Sequence, residues 1–223
     1  MRKSCLVLSL LASAFGATAA VADDRWPFNG LYVGVHGGYS WQSASGVFDN
    51  LHAPTNLSGL DLNGGIVGGQ LGYNIQSGWW LIGIEGDASA HPENNSVVSP
   101  TGIMLTSDDG YLATIRGRLG IVIYDWLIFG TAGVGFTKTE FRETAPNLAF
   151  SGKLTERNSG GVYGGGVEWA FARGVTIRGE YLHYDAGGTT AIPTTFLNAD
   201  PGDYVKFSGI DVARAALNIS LNP

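Results

Sequence analysis

Residues 111–136, YLATIRGRLGIVIYDWLIFGTAGVGF, restrict the fold more than any other stretch of the chain. Read with a period of two, Ala113, Ile115, Gly117, Leu119 and Ile121 share one side, while Thr114, Arg116, Arg118 and Gly120 share the other. That alternation marks a strand whose two faces meet different surroundings. The corner Tyr124-Asp125-Trp126 leads into a second alternating run, so the stretch reads as a hairpin. A soluble sheet would turn the apolar face inward and leave the arginines in water. A membrane barrel would turn it to lipid and the arginines to the lumen. The rest of the chain has to choose between them.

Eight alternating segments are read at about residues 30–42, 63–75, 79–88, 111–123, 127–140, 160–171, 175–185 and 205–221. The odd-numbered segments begin near Leu31, Trp80, Trp126 and Val175, about 46 to 49 residues apart, which describes four successive hairpins. Connections alternate between short corners, such as Gln76-Ser77-Gly78 and Ala172-Arg173-Gly174, and polar loops near 43–60, 90–110, 142–158 and 186–203. Soluble domains keep loops short at both ends. Short turns on one rim and long loops on the other are the habit of an outer-membrane barrel. The expectation is an all-β fold, an eight-stranded antiparallel up-and-down transmembrane β-barrel.

Composition agrees. The 34 glycines and 25 aromatic residues suit a sheet with tight corners and interfacial rings better than a helical protein. At the N-terminus, Arg2 and Lys3, the apolar run 6–15 and two A-x-A sequences, ending at Ala19 and Ala22, read as a secretory signal; cleavage is placed after Ala22, with Ala19 the alternative, giving a signal peptide over 1–22 and a barrel over 23–223. The single cysteine, Cys5, would leave with the signal, so neither a disulfide nor a thiolate metal site is expected, and no cofactor. Without Arg2 and Lys3 there are 11 basic residues against 19 acidic ones, a net charge of −8 that disfavours nucleic acid. Beyond the signal no apolar run reaches the roughly 18 residues of a spanning helix, so a membrane would be crossed by strands.

The alternative is a soluble barrel of the lipocalin or avidin type, which also has eight alternating strands. Against it, rings gather near the short turns, where Trp80, Trp126, Trp169 and Phe171 are read as the periplasmic-side aromatic girdle. On the inward face Glu85, Asp87, Glu168 and Glu180 are matched by Arg116, Arg118, Arg178 and Arg214. Glycines fill much of the rest of that face and leave no evident apolar pocket. Four charges of each sign in a narrow interior point to mutual pairing, since a lone buried charge is costly. An eight-stranded barrel is only just wide enough for its own side chains, so this network is expected to plug it.

The segments GLYVGVHGGYSW (30–41), GGQLGYNIQSGWWLIGIEGDAS (68–89), TIRGRLGIVIYDWLIFGTAGVGF (114–136), GGGVEWAF (164–171), TIRGEYLHYDAG (176–187) and ARAALNISL (213–221) together resemble the small outer-membrane β-barrel family of alphaproteobacteria. These porin-like surface antigens are relatives in architecture of the OmpA barrel domain and OmpX. The resemblance implies an integral protein of the Gram-negative outer membrane with a structural and surface-interaction role. It implies as partners the lipid and lipopolysaccharide of that membrane, the barrel-assembly machinery, and an extracellular ligand met through the loops. Other members imply a small-ion porin or a haem-binding surface protein. Leu221 stands where that family carries a terminal aromatic read by the assembly machinery, and no OmpA-type peptidoglycan-binding domain follows.

No catalytic residues carry over, and the expectation is that the protein is not an enzyme. A lipid-modifying barrel enzyme would need a serine and an acid beside a histidine on the lipid face, and only Ser208 near His183 approaches that pattern. For haem or a partner the loop residues Phe48, His52, His91, Phe150, Phe196 and Tyr204 are candidates, and Asp108 and Asp109 for a metal.

Overall fold

Thirteen β-strands make up the described chain: β1 (Gly30–Trp41), β2 (Ser43–Phe48), β3 (Thr55–Asp61), β4 (Gly64–Ser77), β5 (Trp80–Ala90), β6 (Asn95–Val98), β7 (Met104–Ile123), β8 (Trp126–Ala145), β9 (Phe150–Ala172), β10 (Val175–Asp185), β11 (Gly188–Ala191), β12 (Tyr204–Phe207) and β13 (Ile210–Ser220). The structure is a computed structural model and describes residues 27–48, 55–61, 63–90, 95–98, 104–145, 150–185, 188–191 and 204–221. The expected signal, residues 1–22, lies outside them, as do His52, His91 and Phe196.

Eight of these strands close a ring in the order β1, β4, β5, β7, β8, β9, β10, β13 and back to β1, every pair antiparallel. Closure satisfies the backbone hydrogen bonds of every wall strand, which is what a sheet needs to sit in hydrocarbon. The final strand returns to the first through the Val33↔Ile219 register and a hydrogen bond from Leu221 N to Leu31 O at 2.7 Å. Both ends of the barrel chain therefore lie on the rim of the short turns. Those turns hold two residues each. Gly78 (φ 62°) and Gly174 (φ 68°) supply left-handed geometry in two of them, and Tyr124 (φ 54°) adopts it without glycine in the third.

The expected long loops differ from the observed chain. β7, β8 and β9 continue past the barrel, with β8 and β9 still paired at Ala145↔Phe150 and β6 paired along β7. A separate sheet in the order β11, β12, β2, β3 rises from the same rim. The segment expected as one strand over 205–221 is two, split at Ser208 and Gly209, with β12 in the second sheet and β13 in the barrel. Trp79, expected to start a strand, sits in the turn before β5. The reason is common to the extensions. Runs such as MLTSDDG and SGKLTERNSG have no apolar face, so hydrophobic periodicity ends where the membrane wall ends although backbone pairing does not.

Side-chain direction follows the expected alternation on every barrel strand. Ile82, Ile84, Ile115, Leu119 and Ile128 are each more than half exposed on the outside. Inside, the polar and charged residues Gln70, Glu85, Arg116, Glu168, Arg178 and Asn218 are buried. A soluble barrel would show the reverse, so the outer face is the one made for lipid.

Candidate functional site: a charged layer inside the barrel

Along β7 the inward positions read Leu112, Thr114, Arg116, Arg118, Gly120 and Val122. Apolar residues close each end and charge occupies the middle. Taken together, the inward residues of the eight wall strands give the lumen three layers. Toward the loops, Ile66, Leu112, Val162, Leu182, Tyr184 and Val212 pack together. Toward the short turns, Phe28, Leu81, Val122, Leu127 and Phe129 form a second cluster. The charges lie between. Parity alone did not separate these levels: the ionic residues form a middle layer, with an apolar cluster on either side of it.

All eight expected residues meet in that layer. Arg116 Nη2 lies 2.5 Å from Glu85 Oε1 and 3.0 Å from Asp87 Oδ2, and its Nη1 reaches Glu180 Oε1 at 3.1 Å. Arg214 joins Asp87 Oδ1 at 2.8 Å to Glu180 Oε2 at 3.2 Å. Nearer the short turns, Arg118 donates to Glu168 Oε2 at 2.7 Å and Arg178 to Glu85 Oε2 at 2.6 Å. Every carboxylate oxygen of the four acids accepts a hydrogen bond. With side chains almost wholly shielded from solvent, none of these pairs is a surface ion pair of small effect.

Neutral residues complete the network, and periodicity alone did not single them out as partners. Tyr32 accepts from Arg118 Nη1 at 2.7 Å and donates its own proton to Glu85 Oε2 at 2.5 Å. Thr114 donates to Asp87, and Thr176 donates to Glu168 at 2.5 Å. His36 is held between Gln70 Oε1 at 2.5 Å and Ser89 Oγ at 2.7 Å. Because Gln70 Nε2 donates to Asn218 Oδ1 at 2.7 Å, its Oε1 accepts, so His36 carries its proton on Nδ1 and receives the Ser89 hydroxyl on Nε2. Asn218 then donates to Glu168 at 3.0 Å. Five side chains thus pass hydrogen bonds in one direction across the lumen. Phe129 supports the layer from below, with Arg118 centred 4.2 Å over its ring and Arg178 at 5.8 Å.

Close packing explains one inward glycine. A Cβ at Gly72 would collide with the Tyr32 ring, so the residue beside that tyrosine has to lack a side chain. Phe28 was not expected either. The chain before β1 folds under the barrel, with Asn74 Nδ2 bonded to Phe28 O at 3.1 Å, and drops the ring into the lower cluster.

On the outside, Trp80, Trp126, Trp169 and Phe171 are exposed beside the short turns. Trp126 and Trp169 stack at 5.7 Å with their planes 12° apart, and Trp169 meets Phe171 at 5.9 Å. A second set, Tyr39, Trp41, Tyr111, Phe136, Tyr163 and Tyr181, is exposed toward the loop-bearing rim.

The serine and histidine considered for lipid chemistry do not engage. Ser208 Oγ accepts from Ser43 N and donates to Gly209 O, each at 3.0 Å, whereas His183 Nδ1 pairs with Asp211 Oδ1 at 2.7 Å. No group of three metal-binding side chains occurs among the described residues. Of the loop candidates, Tyr204 is exposed; Phe48, Phe150 and Asp108 fall on strands β2, β9 and β7, and Asp109 also lies on β7.

A closed antiparallel barrel with a greasy outside, aromatic rims and its ions held within is the construction of an integral outer-membrane protein. The sequence places it more closely. The chain belongs to the outer membrane protein beta-barrel domain family, whose family model matches residues 7–212. It is 28% identical over 196 residues to the 31 kDa outer-membrane immunogenic protein of Brucella melitensis, covering 82% of each chain. To the 22 kDa outer membrane protein of Rhizobium leguminosarum it is 29% identical over 120 residues, 53% of this chain and 52% of the other. The fold is shared with outer membrane protein OprG of Pseudomonas aeruginosa, with a TM-score of 0.56, 14% identity, and coverage of 86% and 97%. The protein is thus an outer-membrane barrel, as the resemblance implied.

Proposed function

We propose that this protein is a non-enzymatic, non-conducting barrel that serves as an envelope component and presents its long strand extensions to the exterior. The observation that carries the reading is the three-layered lumen: a balanced set of buried ion pairs between two apolar clusters. Water and ions would have to break several charge-assisted hydrogen bonds and wet both clusters to pass. The short-turn rim, with Trp126 and Trp169, is then the periplasmic one, and the extensions beyond β7, β8 and β9 face outward. A surface position for those extensions is supported by the immunogenic character in the name of the Brucella relative. The partners in this reading are membrane lipid and lipopolysaccharide around the apolar wall, the assembly machinery during insertion, and a ligand for the extensions.

Planar-bilayer recording tests the reading. The purified protein is expected to insert without a stable conductance, and a steady large conductance would exclude a plugged lumen. Unboiled samples are expected to migrate differently from boiled ones on a detergent gel.

A further inference from the structure

We propose that the loop-side rim of β13 binds a lipid whose headgroup carries an alkylammonium group. The site lies on the outer wall, away from the lumen network, and rests on the reading that this wall faces lipid. It would make one of the expected lipid partners specific.

Strand register sets out the site. In one row across the wall stand Trp41 of β1, Asp211 of β13 and His183 of β10. The next row toward the membrane centre holds Tyr39, Ala213 and Tyr181, and the third holds Gly37, Ala215 and Gly179. An outward carboxylate at a lipid-facing wall is unfavourable unless something compensates it. Here Asp211 Oδ1 accepts from Tyr181 Oη and from His183 Nδ1, each at 2.7 Å. Among the described residues no hydrogen bond reaches Oδ2, and the Asp211 side chain is 38% exposed. The carboxylate is therefore fixed in orientation by one oxygen and presents the other.

What surrounds it selects the ligand. Tyr39 and Trp41 meet edge to face at 5.3 Å, Tyr163 lies 5.1 Å from the His183 ring, and Tyr39, Trp41, Tyr163 and Tyr181 are all exposed. A carboxylate ringed by electron-rich faces attracts an alkylammonium, which gains both the ion pair and the ring quadrupoles. A phosphate placed there would meet Asp211 itself, with Asp185 two residues beyond His183 on the same outward face. Below the carboxylate, Ala213 stands in register between Tyr39 and Tyr181, and Ala215, between Gly37 and Gly179, continues the small-residue path toward the membrane centre. An acyl chain hanging from the headgroup would lie along them.

The test offers the intact barrel, purified in detergent, an equimolar mixture of phosphatidylethanolamine and phosphatidylglycerol with matched acyl chains. Native mass spectrometry reads the lipid retained. Retention of the ethanolamine lipid by about fivefold is expected, the preference that an exposed ion pair and one or two ring contacts provide together. Asp211→Asn is expected to abolish the preference, and Trp41→Leu, which keeps the carboxylate, to lower it by about threefold. Equal retention of both lipids by the unaltered protein overturns the proposal, as does a preference that survives both substitutions. Gel heat-modifiability on the same samples reports barrel closure separately, so a failed site is distinguishable from a failed barrel.

Discussion

Arg116 and Glu180 meet across the lumen at 3.1 Å although their strands, β7 and β10, are three places apart around the wall. The contact is a strut: it ties opposite sides of the cylinder through side chains where backbone pairing ties only neighbours. Arg214 holds the other oxygen of Glu180 at 3.2 Å and Arg178 lies 3.9 Å from Oε1, so the carboxylate has three cationic partners.

Neutralising one member of this strut leaves buried charge uncompensated. Glu180→Ala is expected to lower stability by about 3 to 5 kcal/mol, because Arg116 and Arg214 lose a counter-ion they cannot replace with water. Urea unfolding of the barrel in detergent micelles measures it. Arg116→Met combined with Glu180→Leu should cost less than the two single changes added together, since the pair then leaves no lone charge on either side.

Tyr32 joins Arg118 to Glu85 by accepting from one and donating to the other. Tyr32→Phe keeps the ring and leaves both partners short of a hydrogen bond, for an expected loss of about 1 to 3 kcal/mol. Gly72→Val acts on the same contact from the opposite side by displacing the ring. Both variants should lower the temperature at which the folded gel band disappears.

Phe129 carries the guanidinium of Arg118 on its face and belongs to the lower apolar cluster. Phe129→Ala should cost about 3 to 5 kcal/mol by opening a cavity, with the lost cation–π contact adding to it. The same variant is the one expected to show brief conductance events in a bilayer, because it thins the lower seal without removing a charge.

Orientation of the wall is tested by charge on its outside. Leu119→Arg, a residue 57% exposed at the middle of the apolar band, is expected to destabilise the inserted barrel by about 2 to 4 kcal/mol. A comparable substitution at exposed Tyr204, on the extension sheet, should change stability by less than about 0.5 kcal/mol. Equal effects at the two positions would contradict a lipid-facing Leu119.

The barrel was legible because alternation reports a difference between two environments, and over residues 111–123 or 175–185 that difference is between hydrocarbon and a polar interior. It named the charged residues for the same reason, as Arg116, Arg118, Arg178 and Arg214 all fall on the inward parity. The extensions were not legible. Residues 150–159 pair with β8 as regularly as those below them, yet neither parity of their sequence is consistently apolar. The two apolar clusters were hidden differently: Leu127, Phe129, Leu182 and Val212 are inward by parity, but an apolar inward residue looks the same as an apolar outward one until its depth in the barrel is known.

The sequence by itself determined the number of barrel strands, the face that each side chain takes and the balance of charge inside, because each depends on spacing along one strand. Only the tertiary structure decided which arginine meets which carboxylate, that Phe28 folds back beneath them, and that Asp211 lies beside Tyr181 and His183. Those relationships join strands distant in the chain and depend on the stagger with which the sheet closes, a geometric quantity that no local pattern of residues records.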